Sequence, residues 1–174
     1  MEDFEKIKTF NNLNQAQEFS TASYTLKDNI AMAFEKKKQF NEREEIFNQP
    51  VTLYPELETL NTDFKPFYDL TVMAYNVKTE LNDWTNNALN RQDPKLITDS
   101  VDQWMQSCFQ LNKKLSEEYP EVAEVAQELK GVVQEFSKNI PLIRCFTSEA
   151  ITDEDWKEIQ ELSLIHISEP TRPY

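Results

Sequence analysis

The sequence predicts an all-α fold, an elongated antiparallel bundle of stacked, spectrin-like helices, and three observations support this prediction. The 174-residue chain contains a single glycine, whereas ordinary usage is about 7%, so it is poor in the residue that tight turns and β-hairpins require. Apolar residues recur at alternating steps of three and four, which places them on one face of a helix that is expected to be buried against its neighbours. Prolines divide these stretches into separate helices.

In chain order, the patterns predict long helices at 2–18, 21–48, 55–86, 94–117 and 120–138. The second helix carries an interrupted apolar stripe at Leu26, Ile30, Ala33, Phe40 and Phe47. The third helix carries another, in which Thr71 and Lys78 interrupt the series Leu57, Leu60, Phe64, Phe67, Ala74 and Leu81. Pro66 lies inside this third helix, where it is expected to kink the helix or to mark its true start.

The fourth and fifth helices carry the most regular stripes. The fourth stripe has no gap and runs through Ile97, Val101, Trp104, Cys108, Leu111 and Leu115. The fifth runs through Val122, Val125, Leu129, Val132 and Phe136. Asp93-Pro94 supplies a capping residue followed by a proline at the first helical position. An irregular segment is predicted near 139–151, and a short helix is expected to open near Asp153.

Composition argues against most kinds of chemistry. A net charge of −13 repels nucleic acid and anionic membrane surfaces, so neither is expected as a partner. A phosphate-binding loop needs two glycines, and Cys108, Cys145 and His166 are too few for a four-ligand zinc site. The N-terminus has no secretory signal and no apolar run could span a membrane, which predicts a cytoplasmic protein with reduced thiols. We therefore expect no catalytic, cofactor-binding or metal-binding residue.

Two groups of motifs resemble dynein heavy chains. Asn139-Ile140-Pro141-Leu142-Ile143, followed by Trp156 fifteen residues after the proline, resembles the start of the linker domain of that family. Three upstream motifs and Trp84 resemble the segment that leads into the linker domain of axonemal, inner-arm-type heavy chains. These motifs are Arg43-Glu44-Glu45-Ile46-Phe47, Tyr54-Pro55-Glu56-Leu57 and Phe64-Lys65-Pro66-Phe67-Tyr68. The chain departs from the family at Ser148-Glu149 and Glu154-Asp155, where Asn-Pro and Arg-His are usual.

The resemblance, which covers about residues 40 to 161, implies a fragment of a motor protein of cilia. Dynein heavy chains are ATP-driven microtubule motors, and their linker is a helical lever above a ring of AAA-type modules. This fragment would have no ATP site, microtubule site, cofactor or enzymatic activity of its own. Its implied partners are the rest of the heavy chain, including the remaining linker and the ring, and dynein intermediate and light chains. Its implied location is the cytoskeleton of the ciliary axoneme.

Within this interpretation, the stripes supply the candidate structural residues. We expect a shared bundle core at Ile97, Val101, Trp104, Val125, Leu129 and Phe136. We expect the junction with the next bundle to be fixed by Pro141, Leu142, Ile143 and Trp156. Trp84, Trp104 and Trp156 are interpreted as core anchors rather than as ligand platforms.

The predicted organisation has a helical tail or stalk segment at 1–50 and a truncated, linker-type bundle at 51–161. Residues 162–172, LSLIHISEPTR, resemble a translated sequencing adapter, so 162–174 are expected to be an artefact and disordered, and His166 is given no functional weight. The alternative function is a stand-alone spectrin-like or coiled-coil scaffold that binds another helical protein. Extending the transcript at its 3′ end separates the two, since only a motor predicts further linker bundles and then P-loop modules.

Overall fold

The structure is a computed structural model, and it describes residues 2–87, 92–148, 151–152, 154–155, 157–158 and 161. In these ranges the protein is α-helical and has no strand, which confirms the all-α prediction. The helices are α1 (Glu2–Ile7), α2 (Ala16–Ile46), α3 (Pro55–Asn86), α4 (Pro94–Leu115), α5 (Pro120–Ser137) and α6 (Ile140–Phe146), with a 3₁₀ turn at Leu13–Gln15. Trp156, His166 and the segment 162–174 lie outside the described residues.

The long helices pack as antiparallel neighbours. Contacts between α2 and α3 run in opposite directions along the two helices: Lys27 contacts Tyr68, whereas Lys37, further along α2, contacts Glu58, nearer the start of α3. The α4–α5 pair is joined in the same sense, because the Asn112 side chain donates to the Ala123 carbonyl at 2.9 Å. Helix α3 packs on α4, α1 packs on α2, and α6 packs on α4. Short connections between consecutive helices favour this arrangement.

One buried apolar cluster extends from Phe4 to Ile143. It includes residues on both sides of the predicted boundary at 50–51. The Phe4 ring packs edge-on against Phe64 and Phe67, with centroid distances of 5.8 and 5.3 Å. The segments 1–50 and 51–161 therefore share a core in the structure.

The N-terminal helix is much shorter than the predicted span of 2–18. Helix α1 ends at Ile7, and α2 begins at Ala16 rather than at residue 21. Between them, the Asn12 side chain accepts a hydrogen bond from the Asn14 backbone N–H at 2.8 Å, which caps the 3₁₀ turn. This break lets the fully buried Phe10 reach the Phe19 ring at a centroid distance of 5.0 Å. The prediction failed because a buried contact outweighed a continuous helix.

The structure excludes one of the two expectations for Pro66 and corrects the expectation for the segment that contains Pro141. Helix α3 runs without interruption from Pro55 to Asn86 through Pro66, so Pro66 does not mark the start of that helix. The segment predicted to be irregular, 139–151, contains α6. Pro141 lies in the first turn of α6, where no backbone N–H is needed, and the N–H of Ile143 donates to the Asn139 carbonyl at 2.9 Å.

The buried face of α5 differs by one residue from the predicted stripe in the second half of the helix. The buried residue after Leu129 is Val133, whereas Val132 is 42% exposed. An α-helix turns every 3.6 residues, so a strict alternation of three and four gradually drifts off the buried face. Gly131 lies on the exposed side, and no atom lies within 4 Å of the position that a Cβ would occupy. Gly131 is therefore a tolerated helix residue and not a point of close helix approach.

Candidate functional site

The metal-ligating and thiol side chains of the described residues are scattered. They contain no group of three or more His, Cys, Asp or Glu residues that could hold a metal ion. Cys108 and Cys145 are free, and burial raises the pKa of the Cys108 thiol to about 11, which keeps it protonated at neutral pH. None of the helices in the described ranges is long and apolar enough to cross a membrane.

An aromatic stack joins three helices at one end of the bundle. The indole rings of Trp84 in α3 and Trp104 in α4 stack with centroids 5.2 Å apart and an interplanar angle of 24°. Phe136 of α5 lies against Trp84 at a centroid distance of 5.5 Å. The Gln92 side chain, just before α4, donates to the Trp84 carbonyl at 2.6 Å. This stack ties the end of α3 to the α4–α5 pair.

The structure places most of the predicted bundle-core residues inside. Five of them are buried, namely Ile97, Val101, Trp104, Val125 and Leu129. Phe136 is partly buried and packs against the core. Of the predicted junction residues, Ile143 is buried, Pro141 is exposed and Leu142 is 57% exposed. Leu142 therefore leaves an apolar surface on α6 beside a buried neighbour.

A buried polar contact links α2 and α3. The Thr71 hydroxyl lies 2.8 Å from the Ser23 hydroxyl and 2.9 Å from the Phe67 carbonyl. Both side chains are buried, so each hydroxyl needs a partner to offset the loss of its hydration. The polar interruption of the third stripe at Thr71 is thus explained by Ser23, which the apolar pattern alone does not reveal.

The connected halves of α2 and α3 form a surface that the stripes did not predict. None of the residues from 31 to 63, which we call the hairpin arm, is buried. The last buried residue of α2 is Ile30 and the first of α3 is Phe64. The predicted stripe residues Phe40 and Phe47 are 49% and 72% exposed. The expectation that the whole stripe of the second helix is buried is therefore wrong for its last part.

The loop at the end of the hairpin arm is held by a carboxylate. Glu44 accepts hydrogen bonds from the Thr52 hydroxyl at 2.5 Å and from the Thr52 backbone N–H at 2.7 Å. These bonds lower the pKa of the Glu44 carboxyl, the hydroxyl bond contributing most. Asn48 adopts a left-handed conformation with φ of 51°, which asparagine tolerates better than most residues. The loop therefore has a defined shape.

The helical bundle and its buried core are those of an all-α structural domain. The described residues form an α-helical bundle around one buried apolar cluster. Residues 57–172 match the family described as dynein heavy chain, N-terminal region 2. This match covers more than half of the chain, so the chain belongs to this family of dynein heavy chains. The matched range includes 162–172, for which an adapter origin is predicted.

The chain is also similar to individual axonemal heavy chains. It is 23% identical to dynein axonemal heavy chain 3 of Mus musculus over 139 residues, which cover 80% of this chain and 3% of that protein. It is 23% identical to dynein axonemal heavy chain 1 of Homo sapiens over 155 residues, covering 89% of this chain and 4% of that protein. The chain thus spans only a few per cent of the length of the curated relatives it matches. No solved structure matches the chain.

Proposed function

We propose that this segment is part of the mechanical linker of an axonemal dynein heavy chain, a helical lever without an ATP or microtubule site of its own. The observation that carries the proposal is the continuous buried core that joins α1 through α6, in a segment that belongs to the N-terminal region of dynein heavy chains. Close-packed interiors resist deformation, so such a bundle can pass force from one end to the other.

The aromatic stack is the part of the bundle best placed to make it stiff. Trp84 and Trp104 join α3 to α4, and Phe136 adds α5. A load on any one of these helices is therefore shared by the other two. We propose that α6, with Ile143 buried and Leu142 exposed, begins the junction with the next bundle, together with the predicted contribution of Trp156.

The proposed partners and location follow from this role. The exposed Leu142 would be covered by the remaining linker of the same heavy chain, and the AAA-type ring would lie beyond it. Axonemal relatives support a place in the ciliary axoneme, where intermediate and light chains would bind other parts of the assembly. Membership in a heavy-chain family supports this proposal over a stand-alone scaffold.

The test uses the complete heavy chain that contains this segment. Trp104→Ala should slow microtubule gliding while ATP turnover continues, because the lever loses stiffness and the ATP sites lie elsewhere. Phe109→Ala is the matched control, since Phe109 is an exposed aromatic residue of the same helix. Gliding and ATP turnover would be measured on the same preparations.

Two results would contradict the lever proposal. One is unchanged gliding velocity in the Trp104→Ala chain, since a softened lever must shorten the working stroke. The other is an equal loss of gliding and ATP turnover, because that outcome would place the segment in the ATPase cycle itself.

A further inference from the structure

The end of the hairpin arm displays an apolar surface on an ordered support. Five large apolar side chains, which we call the tip patch, face solvent there: Phe40, Ile46, Phe47, Val51 and Leu53. Ile46 and Leu53 are 75% and 82% exposed. Apolar surfaces that are contiguous and rimmed by polar groups are typical of protein interaction sites.

A groove lies beside two residues of the tip patch, Phe40 and Phe47. It has a volume of about 610 Å³ and is lined by Phe40, Arg43, Glu44, Phe47, Gln49 and Tyr54. The aromatic rings of Phe40, Phe47 and Tyr54 form its apolar walls. Apolar grooves between helices accept the apolar face of a third, amphipathic helix, which anchors side chains at positions i, i+3 or i+4, and i+7.

The charges around the tip patch favour a partner with a positively charged surface. Between residues 40 and 58 the chain carries the carboxylates of Glu42, Glu44, Glu45, Glu56 and Glu58, and Arg43 is the single cation. Lys37 and Lys38 lie three and two residues before Phe40, and they pair with Glu58 and Glu42. Within the described part of the chain, Glu45 and Glu56 form no such ion pair. The rim is therefore negative, as is the whole chain with its net charge of −13.

The tip patch is also preorganised, which distinguishes it from a mobile loop with incidental apolar residues. Glu44 fixes Thr52 between Val51 and Leu53 by two hydrogen bonds. The Gln49 backbone N–H donates to the Glu44 carbonyl at 2.8 Å. A surface that is already ordered loses less conformational entropy when a partner binds.

We propose that the tip patch binds a basic amphipathic helix supplied by a partner protein. The apolar face of that helix would lie in the groove, and its lysine or arginine residues would face Glu42, Glu45 and Glu56. This inference concerns a docking surface and does not depend on the lever role proposed above.

The probe is a fluorescein-labelled, 18-residue synthetic helix in which leucine and lysine alternate at helical period. Its binding to the full 174-residue chain is measured by fluorescence anisotropy. Phe40→Ser and Phe47→Ser, which both line the groove, should each weaken binding about tenfold, the loss typical of a central apolar contact. Replacing Glu42, Glu45 and Glu56 together by glutamine should also weaken binding and reduce its dependence on salt.

Matched controls make the result specific to the tip patch. Phe109→Ser removes a phenylalanine of α4 that is 63% exposed and should leave binding unchanged. A peptide with glutamate in place of lysine should bind at least about tenfold more weakly, because the rim would repel it. Circular dichroism melts of each variant check that the fold is retained.

Three outcomes would overturn the proposal. Equal weakening by Phe109→Ser and Phe47→Ser would show non-specific binding to the acidic surface. Equal binding of the glutamate peptide would remove the charge argument. A dimer in sedimentation that Phe47→Ser converts to a monomer would show that a second copy of this chain, and not a basic helix, covers the tip patch.

Discussion

The α4–α5 pair and the hairpin arm are built from similar apolar stripes, yet only the first is covered. All six stripe residues of α4 are buried, whereas Phe40 in the second half of α2 and Phe47 just after its end are 49% and 72% exposed. Helix α4 contacts α3, α5 and α6. The arm extends beyond the last buried residue of α2 and the first of α3, and it consists of the end of α2, the start of α3 and the loop between them. An apolar stripe predicts which face of a helix is apolar. Whether that face is buried depends on the helices that pack beside it.

The lengths of the helices explain why the α4 stripe is buried and the hairpin arm is not. Helix α2 has 31 residues and α3 has 32, so each is about 46–48 Å long at 1.5 Å per residue. Helices α4 and α5, with 22 and 18 residues, reach about 33 and 27 Å. The shorter pair cannot cover the full length of the longer pair. The uncovered end is the hairpin arm, where a partner can be accommodated without unfolding the core.

The largest effect that tests this comparison is expected at Trp104. Trp104→Ala should lower the free energy of unfolding by about 3–5 kcal/mol, because it removes a buried aromatic side chain and leaves a cavity. Phe47→Ala on the hairpin arm is the matched aromatic truncation and should change it by no more than about 0.5 kcal/mol. Urea denaturation of both variants provides the measurement. Similar losses would show that the arm is stabilised by contacts absent from this fold.

A smaller effect is expected at the polar contact between α2 and α3. Thr71→Val should cost about 1–3 kcal/mol, because it leaves the buried Ser23 hydroxyl without its 2.8 Å partner. Ser23→Ala in the same chain should recover much of that loss, since two apolar side chains no longer need a hydrogen bond. A double variant as unstable as Thr71→Val alone would show that the hydroxyl pair is not the cause.

The smallest effect is local and concerns the arm loop. The pKa of Glu44 should lie below its ordinary value of 4.5 because it accepts hydrogen bonds from Thr52. The stabilisation from this contact is therefore complete above about pH 4.5 and is lost as the pH falls through the lowered pKa. A carboxyl ¹³C NMR titration measures the shift, and Thr52→Val should move the pKa back toward 4.5. An unchanged pKa in Thr52→Val would exclude the hydroxyl bond as the main cause.

The sequence predicted the helices best where proline and spacing agreed. The starts at Pro55, Pro94 and Pro120 are those of the structure, and the α4 stripe is buried without exception. These features depend on local rules, since proline suits the first helical turn and a buried face repeats every 3.6 residues. The all-α fold could therefore be derived without any tertiary information.

Other features depended on contacts between distant residues. The break after Ile7 arises because Phe10 packs on Phe19, and the burial of Thr71 depends on Ser23. The exposure of Phe40 and Phe47 could not be found from periodicity, because they continue the stripe that begins with the buried Leu26 and Ile30. The lengths of the four long helices were available from the sequence and would have indicated an uncovered end.

The hydroxyl pair of Ser23 and Thr71 has a mechanical consequence. Apolar stripes repeat with each helical turn, so two helices held by stripes alone can slip past one another by one turn, about 5.4 Å, and regain similar packing. Such a slip here would move the buried Ser23 hydroxyl away from Thr71, at the energetic cost of a lost partner, while Thr71 would keep the Phe67 carbonyl of its own helix. The pair thus fixes the axial register of α2 against α3 and opposes sliding of the two helices when the bundle is pulled.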